Sequence, residues 1–328
     1  MPGNVALIGC GAIAQAFYLP AMAKHRSRFG NLWLVDPADR ARSTAASILP
    51  GHTARHLKEV LDDIDLAIIA TPNASHFPLA SEALSRGADV LIEKPFVICP
   101  SEGRRLAETA AANSRVIAIN QTRRLSPITR ALRRQIEAGE FGCLMSIVHR
   151  EGAKQTWPFE SGAGFARSAQ RTGVIMDIGV HVIDFYHCLL QPSWTFVSAV
   201  HDGFEGPEGL AEIEIRANGS PVSIRLSRYF KQENVARMTF EHAEVSFNVY
   251  DAKTYSVKSA SGRAISVPVK PVGANKETPA EQLLLNFLAA SERREPAFCD
   301  PASSMPVIDI LDEIYRSARR YPATLGYV

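Results

Sequence analysis

Two short stretches of the chain carry the residues best suited to moving a proton. The first is Glu93-Lys94-Pro95, which closes the apolar run Val90-Leu91-Ile92. Parallel strands in open α/β sheets bind ligands outside their carboxyl ends, so a strand stopping at Glu93 delivers Lys94 where chemistry is done. Pro95 cannot donate to a ladder and fixes the direction of exit. The second stretch contains Asp177, His181 and Asp184. At helical spacing these lie at i, i+4 and i+7 on one face, with Ile178, Val182, Phe185 and Leu189 marking an opposing apolar face. A carboxylate can orient an imidazole and stabilise its charged form, so a histidine flanked by acids is a good proton acceptor. Taken singly, each stretch has a plainer account: a surface Glu-Lys pair ending a strand, and a partly buried histidine satisfied by two acids. A metal centre is disfavoured, because His187 is near but no H-x-x-x-H pair or cysteine partner accompanies it.

A dinucleotide frame precedes both stretches. Val5-Ala6-Leu7-Ile8 is an apolar strand followed at once by Gly9-Cys10-Gly11-Ala12-Ile13-Ala14, a G-x-G-x-x-A at a strand-to-helix junction. The first glycine permits the tight turn, the second lets backbone approach a pyrophosphate, and Ala14 allows close packing. The following helix, read from Ala14 to Ala23, presents its N-terminal amides to the phosphates, and Ala12 and Ile13 in the turn before it are read as cofactor-binding as well. Leu32–Val35 reads as the second strand, ending in Asp36, whose carboxylate would bind the ribose hydroxyls and repel a 2′-phosphate. Asp36 can also be read as an acidic cap opening a helix over 38–48. Arg40 and Arg42 keep a 2′-phosphate open, so NAD is the preferred cofactor and NADP the alternative. The strand Leu66–Ala70 closes on Thr71-Pro72-Asn73-Ala74-Ser75-His76, a turn that would border the dinucleotide together with Glu93 and Lys94. His76 equally suits the first polar position of a helix running to Arg86.

The elements that must position these residues follow the same alternation. A helix over 100–112 and a strand over 116–119 complete a doubly wound parallel sheet ending near Asn120. Composition then changes. A helix over 128–138 and a strand over 143–151 lead into 154–172, rich in Gly, Ser and Arg, which reads as a long loop beside a site. From Thr195 to Val269 strand follows strand, with hairpin turns at Ala217-Asn218-Gly219-Ser220 and Ser261-Gly262-Arg263. Two helices close the chain, over 279–291 and 305–319.

The 328 residues exceed what one core usually organises. Two domains are therefore expected, residues 1–120 and 121–328. A net charge of +2 with 21% charged residues argues against nucleic acid or an acidic membrane as the main partner. Five widely spaced cysteines suit reduced thiols in a cytoplasm. No secretory signal pattern opens the chain, and no apolar run approaches the ~18–20 residues of a membrane span, so a cytoplasmic protein is expected.

Together and in this order, G-x-G-x-x-A, Thr71-Pro72-Asn73-x-x-His76, Glu93-Lys94-Pro95 and Asp177-x-x-x-His181-x-x-Asp184 make the chain resemble the Gfo/Idh/MocA family of glucose-fructose oxidoreductase, inositol dehydrogenase and relatives. The resemblance runs the whole length, including Arg124-x-x-Pro127 and the closing helices. It implies a Rossmann domain followed by an α/β domain whose large, mostly antiparallel sheet often makes the contact of a homodimer or homotetramer. It further implies that Lys94 and His181 are the catalytic pair, with Asp177 binding substrate beside them; Arg124, Trp157 and Arg167 are further substrate-binding candidates. The expected reaction is hydride transfer between NAD(P) and a secondary hydroxyl or ketone of a sugar, cyclitol or related polyol. NAD-dependent glycoside cleavage and a non-catalytic dinucleotide-binding regulator are the alternatives. One departure stands out: relatives often carry several glycines before the aspartate, where this chain has Arg171-Thr172-Gly173. Arg123, Arg124, Lys154, Arg167 and Arg171 hint at an anionic sugar derivative.

Overall fold

The computed structural model describes residues 3–154, 171–203, 206–251, 253–259, 261–269 and 277–321. They form two compact units. The first comprises the described residues of Met1–Thr122 and Lys276–Met305, the second those of Arg123–Trp157, Phe165–Asn275 and Pro306–Val328. The division near residue 120 is thus accompanied by a return: Lys276–Met305, expected in the second domain, belongs to the first unit.

In the first unit β1 (Val5–Ile8), β2 (Leu32–Val35), β3 (His52–Ala54), β4 (Leu66–Ile69), β5 (Asp89–Glu93) and β6 (Ile117–Asn120) form one sheet in the order β3-β2-β1-β4-β5-β6. Every pairing is parallel. This is the doubly wound order whose direction reverses between β1 and β4. All residues of β1, β4, β5 and β6 are buried, as expected of strands covered on both faces. β3 escaped the sequence reading because two of its three residues are exposed and leave no apolar run. The connecting helices are α1 (Leu19–Lys24), α2 (Asp39–Ile48), α3 (His76–Ser85) and α4 (Pro100–Ala112). Ahead of α1 the chain makes a π turn over Ala14–Tyr18, where a plain α-helix was expected.

The returning segment explains itself by its apolar side chains. Leu284, Phe287 and Leu288 are buried in one cluster with Val5, Leu7, Tyr18, Ile68 and Leu91. They lie on a helix over Pro279–Ser291, opened by a capping box in which Thr278 Oγ1 accepts from Glu281 N and Glu281 Oε2 accepts from Thr278 N.

In the second unit a nine-stranded sheet runs through β7 (Leu144–Gly152), β8 (Trp194–His201), β9 (Leu210–Ala217), β10 (Ser220–Ser227), β11 (Val235–Phe240), β12 (Ala243–Asn248), β13 (Thr254–Ser259), β14 (Ala264–Pro268) and β15 (Arg319–Arg320). β7 pairs parallel with β10, and β15 with β8, while the other pairings are antiparallel. β9 and β10 alternate buried and partly exposed positions, so one face of the sheet is the core face. Asn218 and Gly219 turn between them with φ of 50° and 88°, the left-handed pair a two-residue hairpin requires. That core joins residues of α5 (Pro127–Glu137) and α6 (Val180–Leu190), such as Leu132, Val182 and Phe185, to Ile213, Ile224 and Met238 of the sheet. α7 is the helix Pro279–Ser291 already described, and α8 spans Pro301–Ser317.

Candidate active site

The glycine turn sits at the point where strand order reverses. Gly9 has φ of 88°, and a Cβ there would lie 2.5 Å from the carbonyl oxygen of Ala70, at the end of β4. Position 9 therefore needs glycine twice over, for its backbone and for the close approach of β4. A Cβ on Gly11 would meet nothing within 4 Å, which leaves the backbone open on the side where a pyrophosphate approaches. Ala12 and Ile13 follow in the first helical turn. Asp36, just after β2, accepts from Cys10 N through Oδ2 (2.9 Å) and from Ala38 N through Oδ1 (2.8 Å). It is not the cap of α2, whose preceding residue is Ala38. Its carboxylate is oriented by two amides and retains acceptor capacity, since an ionised carboxylate offers about four lone-pair sites. Arg42 bonds the Asp36 carbonyl and the Asp39 carboxylate, and Arg55 bonds Asp39 as well. Burial, reinforced by Asp36, pushes the Cys10 thiol up to about 12, so it stays neutral.

The ends of β5 and β6 form a second polar cluster in the same sheet. Glu93 and Asn120 are register partners. Glu93 Oε1 accepts from Tyr18 Oη (2.8 Å) and Asn120 Nδ2, and Oε2 accepts from Lys94 N (3.2 Å). Burial and the adjacent carboxylate push the Tyr18 phenol far above its ordinary value, so it donates at all working pH. Glu93 is therefore an anchor for the strand end from which Lys94 projects. Among the described residues, the buried side-chain oxygens of Asn120 and Gln121 have no hydrogen-bond donor. Sequence reasoning passed over both, since a buried Asn or Gln at a strand end carries no pattern of its own.

Thr71, Pro72 and Asn73 follow β4 in a turn in which Ser75 bonds both Thr71 Oγ1 and the Pro72 carbonyl. His76 is fully buried, with Nδ1 2.8 Å from the carbonyl of Pro95 and Nε2 2.8 Å from that of Thr71. Two carbonyls satisfy both nitrogens only when the ring holds two protons, whereas burial lowers its pKa. Either way His76 stitches the end of β4 to the end of β5, and its ring points into protein.

In the second unit the predicted acid-histidine helix is real but not uniform. A π turn over Ile175–Gly179 holds Asp177 and precedes α6, which holds His181 and Asp184. The three do not act as one face. Asp184 is buried, with 1% of its side chain exposed, and takes a forked contact from Arg124, itself 8% exposed. Burial raises the Asp184 carboxyl, and Arg124 pulls it back. Asp177 is 38% exposed and pairs with Arg228, a residue sequence reasoning did not select. His181 is half-buried between them in sequence. Arg124, expected on the substrate side, thus has its guanidinium turned to a buried acid.

Behind this helix lies a buried relay. Arg123 bonds both oxygens of Glu151, His149 Nε2 lies 3.0 Å from Glu151 Oε2, and His149 Nδ1 lies 3.0 Å from Tyr186 Oη. Burial lowers the pKa of His149, so the neutral ring donates from Nε2 to the carboxylate and accepts from Tyr186 at Nδ1. Trp157 and Arg167 lie outside the described residues. Among the described residues no cluster of His, Cys, Asp or Glu could hold a metal ion, and no helix is long and apolar enough to cross a membrane.

Comparison with known proteins bears on both units. Residues 3–121 match the model of the oxidoreductase family with an NAD-binding Rossmann fold, and residues 129–252 match the GFO/IDH/MocA C-terminal domain. The chain is 30% identical over 223 residues to inositol 2-dehydrogenase 4 of Saccharopolyspora erythraea, covering 65% of this chain and 62% of that protein. It is 25% identical over 285 residues to UDP-N-acetylglucosamine 3-dehydrogenase of Acidithiobacillus ferrooxidans, covering 83% and 84%. The chain spans about half the length of other curated relatives it matches, 51% and 50% for two uncharacterised oxidoreductases. In fold it resembles a 3-ketoreductase from Actinomadura kijaniata, solved in complex with NADP and TDP-benzene, with a TM-score of 0.84 at 18% identity over 98% of this chain and 100% of that one. With both of its family models matched in order along the chain, the protein belongs to the GFO/IDH/MocA oxidoreductase family.

Proposed function

We propose that the protein is an NAD(P)-dependent oxidoreductase that passes a hydride between nicotinamide and a secondary hydroxyl or ketone of a sugar, cyclitol or sugar derivative. The observation that carries this reading is the Gly9 turn at the reversal of strand order, with Asp36 gripping Cys10 N beside it. The relatives named above, for inositol and for a nucleotide sugar, support the substrate class.

The first unit fits a dinucleotide. Gly11 is open to backbone approach, Asp36 has acceptor capacity for ribose hydroxyls, and the partnerless buried oxygens of Asn120 and Gln121 suit amide N–H donors. When bound, the nicotinamide supplies the hydride donor or acceptor. In the oxidative direction His181 takes the proton from the hydroxyl oxygen. Lys94 supplies positive charge that stabilises the negative charge developing in the transition state. Asp177, oriented by Arg228, accepts a hydrogen bond from a neighbouring hydroxyl. We further read the protein as cytoplasmic, working as a homodimer or homotetramer through the nine-stranded sheet.

The test is to follow nicotinamide absorbance with NAD and NADP across inositols, free sugars, sugar phosphates and nucleotide sugars. Turnover on one class, lost in Lys94→Ala, supports the proposal. Dinucleotide binding with no turnover anywhere would instead make the protein a regulator, and aglycone release would make it a glycoside-cleaving enzyme.

A further inference from the structure

The helical segment that carries Asp177 and His181 begins at Val174, and its leading amides have an unusual set of partners. The first N–H groups of a helix have no acceptor within the helix and must find one elsewhere. Here Val174 N donates to the carbonyl of Glu208 (2.7 Å), Ile175 N to Glu208 Oε1 (3.1 Å) and Met176 N to Tyr315 Oη (3.1 Å). Asp177 N is the first to bond within the segment, to the carbonyl of Gly173 (2.9 Å). Tyr315 Oη in turn donates to Glu208 Oε1 (2.6 Å), closing the set. Two residues distant in sequence thus satisfy all three leading amides of the helical segment that opens with the π turn.

The surroundings keep this pair in place. Glu208 is buried, and a side chain at position 173 would overlap its carboxyl group, so only glycine there leaves room for it. The Arg171 guanidinium lies over the Tyr315 ring, 5.3 Å from its centroid, and bonds Asp312 (2.7 Å). The stretch Arg171-Thr172-Gly173 therefore spends one arginine on holding Tyr315 and one glycine on admitting Glu208.

We propose that Glu208 and Tyr315 are positioning residues for the reaction: they hold the π turn, and the π turn sets Asp177 relative to His181. Relaxation of a π turn into α register moves the residues on one side of it by one helical position, about 100° and ~1.5 Å. Asp177 would then leave its place beside Arg228. A misplacement of ~1 Å can cost about 100-fold in rate. The proposal rests on the roles assigned to Asp177 and His181 above.

Tyr315→Phe tests it, because it keeps the ring under Arg171 and removes only the hydroxyl. The expected result is a roughly 10- to 100-fold fall in kcat, unchanged dinucleotide affinity, an altered acid limb of the kcat/KM pH profile, and faster hydrogen exchange at Met176 N. Glu208→Ala should lose at least as much, and Glu208→Gln, whose amide oxygen still accepts from Ile175 N and Tyr315 Oη, should restore most of that loss. Faster exchange at Met176 with parental kcat and pH profile would make the pair a structural cap only and overturn the proposal. So would parental values throughout. Should Glu208→Ala fail to fold, Tyr315→Phe alone decides. His181→Ala run in parallel separates the two readings: if it turns over normally the assignment of His181 has failed, whereas an inactive His181→Ala beside a fully active Tyr315→Phe sinks only the positioning role.

Discussion

The backbone N–H of Cys10 donates to Asp36 Oδ2 over 2.9 Å, which ties the first turn of the dinucleotide motif to the end of β2. The ribose role proposed for Asp36 thus rests on a carboxylate fixed by that bond, and a 2′-phosphate beside it would meet a negative charge. Arg42 and Arg55 both pair with Asp39. NAD(H) is expected to bind more tightly than NADP(H) in calorimetric titration, and Asp36→Ala should narrow the gap. Tighter NADP(H) binding by the parent protein would remove Asp36 from the ribose.

On the proposed mechanism, Lys94 and His181 both act in the chemical step. General acid-base catalysis contributes ~10²–10⁴-fold, so His181→Ala should lower turnover by that order with dinucleotide affinity intact. Lys94→Ala should cost at least as much, because on that proposal it removes the charge that offsets the developing negative charge. The double variant should lose far less than the product of the two, since groups acting as a unit are non-additive. Multiplicative losses would mean that the two residues serve different steps.

Arg124 and Asp184 should behave as a buried ion pair. Asp184→Ala leaves the 8%-exposed Arg124 without its carboxylate, and breaking such a pair costs about 3–5 kcal/mol. Denaturant unfolding of Asp184→Ala and of an Arg124→Met/Asp184→Leu double variant checks this. The double variant should recover much of the loss, and an unchanged midpoint in the single variant would contradict the pairing.

Glu151 should make stability depend on pH in the acid range. Burial alone would raise its carboxyl, but Arg123 and His149 outweigh that and hold it well below the usual carboxylate range. A depressed folded-state pKa contributes stability that is complete above the unfolded value of about 4.3 and is lost as pH falls towards the folded value. Asp184, raised by burial, acts with the opposite sign, so the comparison must be made in single variants. Glu151→Gln should be less stable than the parent at neutral pH and should lose less on acidification. Parallel stability curves for the two proteins below pH ~4.3 would exclude this linkage.

The sequence by itself determined what short-range physics decides. Unbroken apolar fours such as Val5–Ile8, Leu32–Val35 and Leu66–Ile69, closed by turn residues, read as strands of a covered sheet, and the glycines after the first of them mark the turn. The helix expected over 279–291 was found with those bounds, and the structure shows why its start is local: Thr278 and Glu281 close a capping box there. The alternation in β9 and β10, with Asn218-Gly219 between them, placed a hairpin for the same reason. What only the tertiary structure decided are the partnerships between charges and amides far apart in the chain. Arg124 turned to Asp184, Asp177 to Arg228, and Glu208 with Tyr315 to the π turn, across separations that no spacing rule spans. The π turns themselves, over Ala14–Tyr18 and Ile175–Gly179, have no local signature. An i→i+5 register is rare and confined to single turns inside helices, so what fixes it lies in the surrounding fold and not in the local residue pattern.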